Sequence, residues 1–138
     1  MGKISRDLRI FGKKGTKEIK NVLLDGGSDF TVIRKNIARE LCDITPFFNQ
    51  KGEIVKDQPV PLADGESSIK AIGLCTFQTA IEGRIVRDEA WVVEKLHRDM
   101  IIGAGTLQRA GIKLAYAEKA QGGDRIELDS VESIGIGT

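Results

Sequence analysis

The part of this chain best suited to do chemistry is a carboxylate set in a glycine loop. Asp25 follows the apolar run 22–24 and is followed by Gly26, Gly27 and Ser28. Paired glycines break either regular structure, so the loop must be tight, and its backbone N–H groups can hydrogen-bond the carboxylate. The Ser28 hydroxyl can do the same and favour the charged form. Taken alone, however, an Asp-Gly pair is more typical of an ordinary turn.

The elements that must position this loop are short strands and one helix. Alternating apolar residues predict a strand over 4–10, and a second strand over 18–24 leads into Asp25 after a turn at 12–15. Residues 30–33 favour a strand. Apolar residues at four-residue spacing then predict a helix over 34–41.

Two hairpins are predicted in the middle of the chain. The first covers 60–71 with the Asp-Gly pair 64–65 at its tip, a pair that favours hairpin turns. The second joins strands over 75–81 and 85–93 through a Glu-Gly turn. Residues 43–58 carry few signals and are predicted to be a loop with a possible strand.

The last third of the chain supplies a second short helix. A buried strand over 100–103 leads into a helix over 104–110, with Gly111 at its C-terminal cap. Strands are predicted over 112–116 and 125–128.

Size and composition fit one compact, mostly β domain. The chain has 138 residues, of which 41% are hydrophobic, 5% aromatic and 30% charged. With so few aromatic residues, the core must be built mainly from aliphatic side chains. The sixteen glycines favour many short strands joined by turns. We expect a core over about 4–128 and a Gly-rich tail over 129–138.

Charge gives little support to a nucleic-acid function. The formal net charge is +1, and the first half of the chain is mildly basic. Four lysines are expected to form a solvated turn and strand face: Lys13, Lys14, Lys17 and Lys20. A small β-barrel that binds nucleic acid stays open as a third hypothesis, and a salt-dependent gel shift would reveal it.

The remaining signals concern metal, membrane and compartment. Cys42 and Cys75 form no CxxC pair, and we expect both to be free, largely buried and in a reducing compartment. A single histidine, His97, cannot build a His-based metal cluster, so no metal or cofactor is expected.

The chain has no apolar run near the roughly 18 residues of a membrane span. Its start is too polar for a signal peptide, so a cytoplasmic protein is predicted.

The order of these parts resembles the retropepsin-like aspartic peptidases, the family that includes retroviral proteases. That family has an apolar strand ending in Asp-Thr/Ser-Gly, then a glycine-containing flap, then two aliphatic residues and a glycine before a helix. The resemblance covers about residues 5–117. The matching segments are Leu23-Leu24-Asp25-Gly26-Gly27-Ser28, Asp29-Phe30-Thr31-Val32-Ile33, Ala63-Asp64-Gly65-Glu66 and Ile101-Ile102-Gly103.

The resemblance implies a fold and a set of site residues. The fold would be mostly β: an acid-protease-like closed β-barrel of a single lobe, with a short helix near its C-terminal part and a flap hairpin. Asp25 would be catalytic, in an active-site loop with Gly26, Gly27 and Ser28. Three further groups would complete the site: Asp29, Phe30 and Val32 at the substrate, Ala63, Asp64 and Gly65 in the flap, and Ile101, Ile102 and Gly103 beside the loop. Phe30 and Val32 are equally compatible with ordinary core positions.

The resemblance also implies a homodimer that acts on an extended peptide or unfolded protein. Aspartic peptidase chemistry needs two carboxylates around one water, and this chain offers one such loop. A twofold axis would bring two copies of Asp25 together. One carboxylate would activate the water and the protonated one would polarise the scissile carbonyl. The residues around Ser28 lack a Gly-x-Ser-x-Gly pattern, which disfavours a serine nucleophile.

One departure from the family keeps an alternative open. The family usually has a hydroxyl residue after the catalytic aspartate, which reaches the partner's loop backbone, and Gly26 has none. The alternative is a catalytically weak or inactive module that uses the same fold for dimerisation or peptide binding.

Overall fold

A computed structural model of the chain describes residues 3–61, 68–118, 120 and 122–129. Within these ranges the chain forms strands and two short helices. In chain order they are β1 (Ile4–Gly12), β2 (Gly15–Leu24), β3 (Val32–Arg34), α1 (Lys35–Leu41), β4 (Phe47–Phe48), β5 (Ile54–Val55), β6 (Gln58–Pro61), β7 (Ser68–Ile81), β8 (Arg84–Val93), β9 (Met100–Ile102), α2 (Ala104–Arg109), β10 (Ile112–Ala115) and β11 (Arg125–Leu128).

Six of the strands close into a barrel. Their order is β1-β2-β9-β3-β8-β7, and β1 pairs again with β7 to complete the ring, while β6 adds to the outside of β7. Most neighbours are antiparallel, but β2–β9 and β3–β8 are parallel. This arrangement confirms the predicted mostly β fold with a closed barrel.

The two predicted hairpins share one long strand. Strand β7 pairs with β6 through Val60 opposite Ile69, and its second half pairs with β8 across the turn at Glu82-Gly83. The register shifts between Ala71 and Gly73, where the strand passes from one partner to the other. The tip of the first hairpin, with Ala63, Asp64 and Gly65, lies outside the described residues.

The core is aliphatic, as the low aromatic content predicts, and fills the barrel. Its largest fully buried side chains include Ile10, Leu24, Ile33 and Ile102. A smaller cluster lies beside the first hairpin and contains Val32, Phe47, Val60, Ala71 and Val93. The Asp25 loop therefore leaves a strand that is anchored in the main core.

The expectation of free cysteines is wrong. Cys42 and Cys75 form a disulfide between the residue that follows α1 and strand β7, with their Cα atoms 6.3 Å apart. That separation lies within the range a disulfide spans. Both residues are buried, as expected, but no local motif announces a pair 33 residues apart. Because disulfides persist mainly in oxidising environments, the inference of a reducing compartment loses its basis.

The predicted helices differ from the observed ones by a residue at their ends. Helix α1 begins at Lys35, because Arg34 is extended and serves as its N-cap. Helix α2 ends at Arg109, with Ala110 as C-cap, and Gly111 follows with φ +68°. In the part of the chain that the structure covers, neither helix is long and apolar enough to cross a membrane.

Three of the four lysines predicted to form a solvated face lie close to carboxylates. Lys14 lies 3.1 Å from Asp43, and Lys17 lies 2.7 Å from Glu40. Lys20 contacts Glu18 at 2.6 Å. The charge of this face is therefore mixed rather than uniformly positive.

Candidate active site

Asp25 is positioned by a parallel strand pair at one end of the barrel. Strand β2 runs beside β9 with Leu23 opposite Ile101 and Leu24 opposite Ile102. The N–H group of Asp25 continues this pairing by donating to the Ile102 carbonyl oxygen at 2.9 Å. The aliphatic pair that resembled a family motif thus fixes where the loop starts.

The loop itself supports the Asp25 carboxylate through one backbone amide. The Gly27 N–H group donates to Oδ1 of Asp25 at 2.9 Å. The Ser28 N–H group donates to the Asp25 carbonyl oxygen at 3.2 Å and closes the turn. The expectation that Ser28 would bond the carboxylate is wrong, because its hydroxyl donates to the Phe30 carbonyl oxygen at 2.9 Å.

Gly26 faces open space. A Cβ atom built on Gly26 would meet no heavy atom within 4 Å. Gly26 is also absent from the residues with positive φ, so its backbone does not need glycine. A hydroxyl residue would therefore fit here within one chain.

Gly103, by contrast, is required by a close approach of two backbones. A Cβ atom at Gly103 would lie 2.5 Å from the carbonyl carbon and oxygen of Phe30. The contact is held by the Ala104 N–H group, which donates to the Ser28 carbonyl oxygen at 2.6 Å. Helix α2 thereby packs directly on the segment that follows Asp25.

A buried chain of polar groups joins the same segment to α2 and β8. The Gly103 N–H group donates to the Thr31 hydroxyl at 3.1 Å, and Thr31 lies 2.8 Å from the Thr106 hydroxyl. The Thr106 hydroxyl donates to Oδ2 of Asp88 at 2.9 Å. Because that hydrogen is committed to Asp88, Thr31 must be the donor to Thr106. Arg109 lies 3.5 Å from the other Asp88 oxygen.

Burial of the Asp88 carboxylate destabilises its charged form. Only 2% of Asp88 is exposed. Burial raises its pKa, and the hydrogen bond from Thr106 together with the Arg109 charge opposes that shift. Asp88 therefore acts as the acceptor at the end of this network.

Asp25 opens onto a cleft of about 760 Å³. Its other walls come from α2 and from the segment around β10, including Leu107, Ile112 and Tyr116. Burial, and then the negative charges of Asp25 and Asp124, raise the pKa of Tyr116. Tyr116 and Asp25 line the same cleft.

A second cleft, of about 670 Å³, lies on the other side of the loop and has an aromatic wall. Phe30 and Trp91 both line it, with ring centroids 5.1 Å apart, and Asp29 lies at its edge. Phe47 extends the aromatic row at 5.1 Å from Trp91. Phe30 is 38% exposed, whereas Val32 is buried in the smaller core cluster.

Sequence reasoning missed several residues of this site. Asp88, Thr106 and Tyr116 carry no motif, because the contacts that define them join distant parts of the chain. No local pattern marks them, since Asp88 stands between Arg87 and Glu89 in the sequence and Thr106 follows Gly105. The described residues contain no group of three or more side chains suited to hold a metal ion.

The chain is similar to solved structures. The chain is similar to the EIAV protease in complex with the inhibitor HBY-793, with 19% identity, a TM-score of 0.57, and 83% of this chain and 93% of that chain covered. It is also similar to the retroviral protease-like domain of Ddi1 from Leishmania major, with 13% identity, a TM-score of 0.45, and coverage of 80% and 77%. No protein-family model and no curated protein matches the sequence. The likeness to the EIAV protease shows that the chain has the retropepsin-like fold.

Proposed function

We propose that this protein is a homodimeric aspartic endopeptidase in which two Asp25 carboxylates, one per subunit, activate a water molecule. The observation that carries the proposal is the position of Asp25. It stands at the end of a barrel strand, in a glycine loop, in a chain with the retropepsin-like fold. The carboxylate faces a cleft and receives a single described hydrogen bond, so it is available to react.

A second carboxylate must come from another chain. Among the described residues, the acidic group held deepest beside the loop is Asp88, which is committed to Thr106 and Arg109. Asp29 is exposed and follows the loop without a second glycine turn of its own. A twofold dimer supplies the missing group by symmetry.

The chemistry follows from two carboxylates that share one proton. Like charges this close do not both ionise, so one is neutral while the other is charged. The charged carboxylate takes a proton from water as the water oxygen bonds the scissile carbonyl carbon. The neutral carboxyl group donates its proton to the carbonyl oxygen. The tetrahedral species then collapses: the carboxyl group that took the water proton gives it to the nitrogen as the carbon–nitrogen bond breaks. The other carboxylate takes a proton from one hydroxyl group, whose oxygen becomes the carbonyl oxygen of the new carboxyl group, and the starting state is restored.

The substrate is an extended peptide held by strand-like hydrogen bonds. The first hairpin, built on β6 and β7, would cover it with Ala63, Asp64 and Gly65 at the tip. Asp29 would bind its backbone. Phe30, with Trp91 behind it, would receive an apolar side chain, and Val32 would support that wall from the core.

A specific observation favours a second candidate. Gly26 lacks the hydroxyl that the family uses to brace its two loops against each other, so the dimer would lack this support. The alternative is a module with the same fold that dimerises or binds peptides without cleaving them.

Cleavage of a denatured protein at acid pH separates these two functions. An active enzyme releases peptides, is inhibited by pepstatin and shows a bell-shaped pH profile with an acidic optimum. A rate that rises steadily to alkaline pH would point to another mechanism. Binding of the denatured protein without cleavage at any pH would favour the module.

A further inference from the structure

Arg84 lies at the start of β8, where the chain turns back from β7. It stands opposite the buried Ile81, across the two-residue turn Glu82-Gly83. Both turn residues have positive φ, at 51° and 76°, as in the tight hairpin turns that match the twist of paired strands. The backbone of Arg84 is therefore held by the barrel, while its side chain reaches a different part of the molecule.

The Arg84 guanidinium group binds three backbone carbonyl oxygens near the end of the described chain. Its Nη1 atom donates to the carbonyl oxygens of Ala110 at 2.6 Å and Gly111 at 3.0 Å. Its Nη2 atom donates to the carbonyl oxygen of Asp129 at 2.6 Å. The Asp129 N–H group in turn donates to the Gly111 carbonyl oxygen at 2.9 Å. One side chain of the barrel thus joins the end of α2 to the residue after β11.

The carbonyl groups at the end of α2 need a donor from outside the helix. The helix ends at Arg109 with Ala110 as its C-cap, and the last carbonyl oxygens of a helix have no partner within it. Arginine side chains near a helix C-terminus commonly satisfy such groups. Gly111 allows the close approach, because it has φ +68° and a Cβ atom there would collide with Nη1 of Arg84. The corner between α2 and β10 is therefore suited to the guanidinium group.

The elements that Arg84 holds form a wall of the Asp25 cleft. Ile112 of β10 and Asp129 line this cleft opposite the glycine loop, and α2 contributes to the same wall. At its other end, α2 packs on the segment after Asp25 through the Ala104 N–H group. A shift of the corner between α2 and β10 would therefore change both the shape of the cleft and the support of the loop.

We propose that Arg84 is a positioning residue for the Asp25 site: its guanidinium group ties α2, β10 and β11 to the barrel and so fixes one wall of the Asp25 cleft. These three elements are called the C-terminal unit below. The inference rests on the proposed function and deepens it, because Arg84 itself is not one of the described residues that line the cleft. Its effect on cleavage would pass through the three carbonyl groups that it binds.

Arg6 offers a matched control beside the same turn. Its Nε atom donates to Oε1 of Glu82 at 3.2 Å, and its Nη1 atom donates to the Ser5 carbonyl oxygen at 2.9 Å. These described contacts do not reach the C-terminal unit. Arg6→Met and Arg84→Met therefore remove the same charged group from the same end of the barrel, but the second also releases the three carbonyl groups. Arg84→Lys keeps the charge on a single nitrogen atom, and it replaces Arg84→Met in both measurements if that variant does not fold.

The first measurement is amide hydrogen exchange of the full chain, which needs no substrate. We expect Arg84→Met to speed exchange roughly tenfold or more at 112–115 and 125–128, because the hydrogen bonds that hold these strands to the barrel are lost. Exchange in β1 and β2 should stay unchanged, and Arg6→Met should leave the C-terminal unit unchanged. Exchange that is faster throughout the chain, or faster nowhere, overturns the inference.

The second measurement compares kcat and KM for one peptide that the parent cleaves, well below the melting temperature of every variant. We expect Arg84→Met to lower kcat by roughly 10- to 10²-fold, the scale of a displacement of about 1 Å in a site. KM should stay within about twofold, because the aromatic cleft at Phe30 and Trp91 is unchanged, and Arg84→Lys should lie between the two. A loss no larger than the unfolded fraction explains, or an equal loss in Arg6→Met, would mean a merely structural role and would overturn the inference.

The two measurements separate this inference from the proposed function. If the parent protein cleaves nothing, the peptidase proposal fails and the positioning role falls with it, whatever the exchange data show. If the parent cleaves and Arg84→Met keeps the parental kcat, the peptidase stands and this inference falls. Local exchange together with a lower kcat supports both.

Discussion

The molecule places two aspartates close to the same loop and treats them in opposite ways. Asp25 faces a cleft and is held by one amide of its own loop. Asp88 is buried behind the loop and is bonded by Thr106, with Arg109 beside it. Asp25 is available for reaction because it has few hydrogen-bond partners. Asp88 has several partners, and its bonds hold the elements around the Asp25 loop in place.

The buried carboxylate supports the exposed one indirectly. The hydrogen bonds that end on Asp88 pass through Thr106 and Thr31 to the Gly103 amide, so they join β8, α2 and the segment after Asp25. A preorganised site requires that the elements around the catalytic group be held rigidly, and these buried bonds do so for the segment after Asp25. The following substitutions test that division of roles.

Asp25→Asn should have the largest effect. The amide is nearly isosteric but cannot share the proton, so cleavage should fall by roughly 10²- to 10⁴-fold, the contribution of general acid–base catalysis. The melting temperature should change little, because the side chain faces the cleft. Asp43→Asn is the matched control, since it neutralises a surface carboxylate far from the loop. A variant that cleaves at the parental rate would remove Asp25 from the mechanism.

Gly103→Ala should destabilise the fold, because its Cβ atom would meet the Phe30 backbone at 2.5 Å. We expect a loss of about 1–3 kcal/mol in the free energy of unfolding, typical of overpacking. Gly26→Ala adds the same methyl group where nothing lies within 4 Å and should change stability by less than about 0.5 kcal/mol. Denaturant unfolding measures the loss of stability in both variants. Equal losses would mean that the close contact at Gly103 does not set it apart from Gly26.

Gly26→Thr should strengthen the dimer by adding support on the open side of Asp25. The residue has room and does not occupy positive φ, so the substitution is not expected to strain the loop. A hydroxyl that reaches the partner's loop contributes about 0.5–1.5 kcal/mol, twice by symmetry. Sedimentation of both forms gives the dissociation constants, and a weaker dimer in the threonine variant would show that the loops do not meet as proposed.

Asp88→Asn should alter the pH dependence of stability. Because the folded pKa of Asp88 is raised, the folded state binds its proton more readily than the unfolded state does. The parent therefore loses stability as pH rises from the ordinary aspartate value of 3.8 through the raised folded value, and the variant does not. The melting temperature of the variant minus that of the parent should increase across this interval. A constant difference would indicate that Asp88 titrates normally.

The sequence predicts those features that depend on neighbours along the chain. The Asp25 loop, the Ile101-Ile102 pair and the alternating strands follow from local patterns, because glycine pairs and apolar periodicity act over a few residues. The ends of α1 and α2 were displaced by one residue because a cap depends on backbone geometry that residue type does not fix.

Contacts between distant segments could not be read in this way. Thr31 and Thr106 are 75 positions apart, and the disulfide joins residues 33 positions apart. Ser28 was expected at the carboxylate because of its proximity in sequence, but the turn directs its hydroxyl to Phe30 instead. Each of these outcomes depends on how the barrel closes.

The most direct test of the central claim, that each active site needs one Asp25 from each of two chains, is a mixing experiment. Parent and Asp25→Asn proteins are combined in varying proportions at constant total concentration, allowed to exchange subunits, and assayed for cleavage. If two parental chains form each site, activity follows the square of the parental fraction, so that an equal mixture keeps about one quarter of the activity. Activity that stays proportional to the parental fraction, about one half in that mixture, would show that each chain acts alone and would contradict the account.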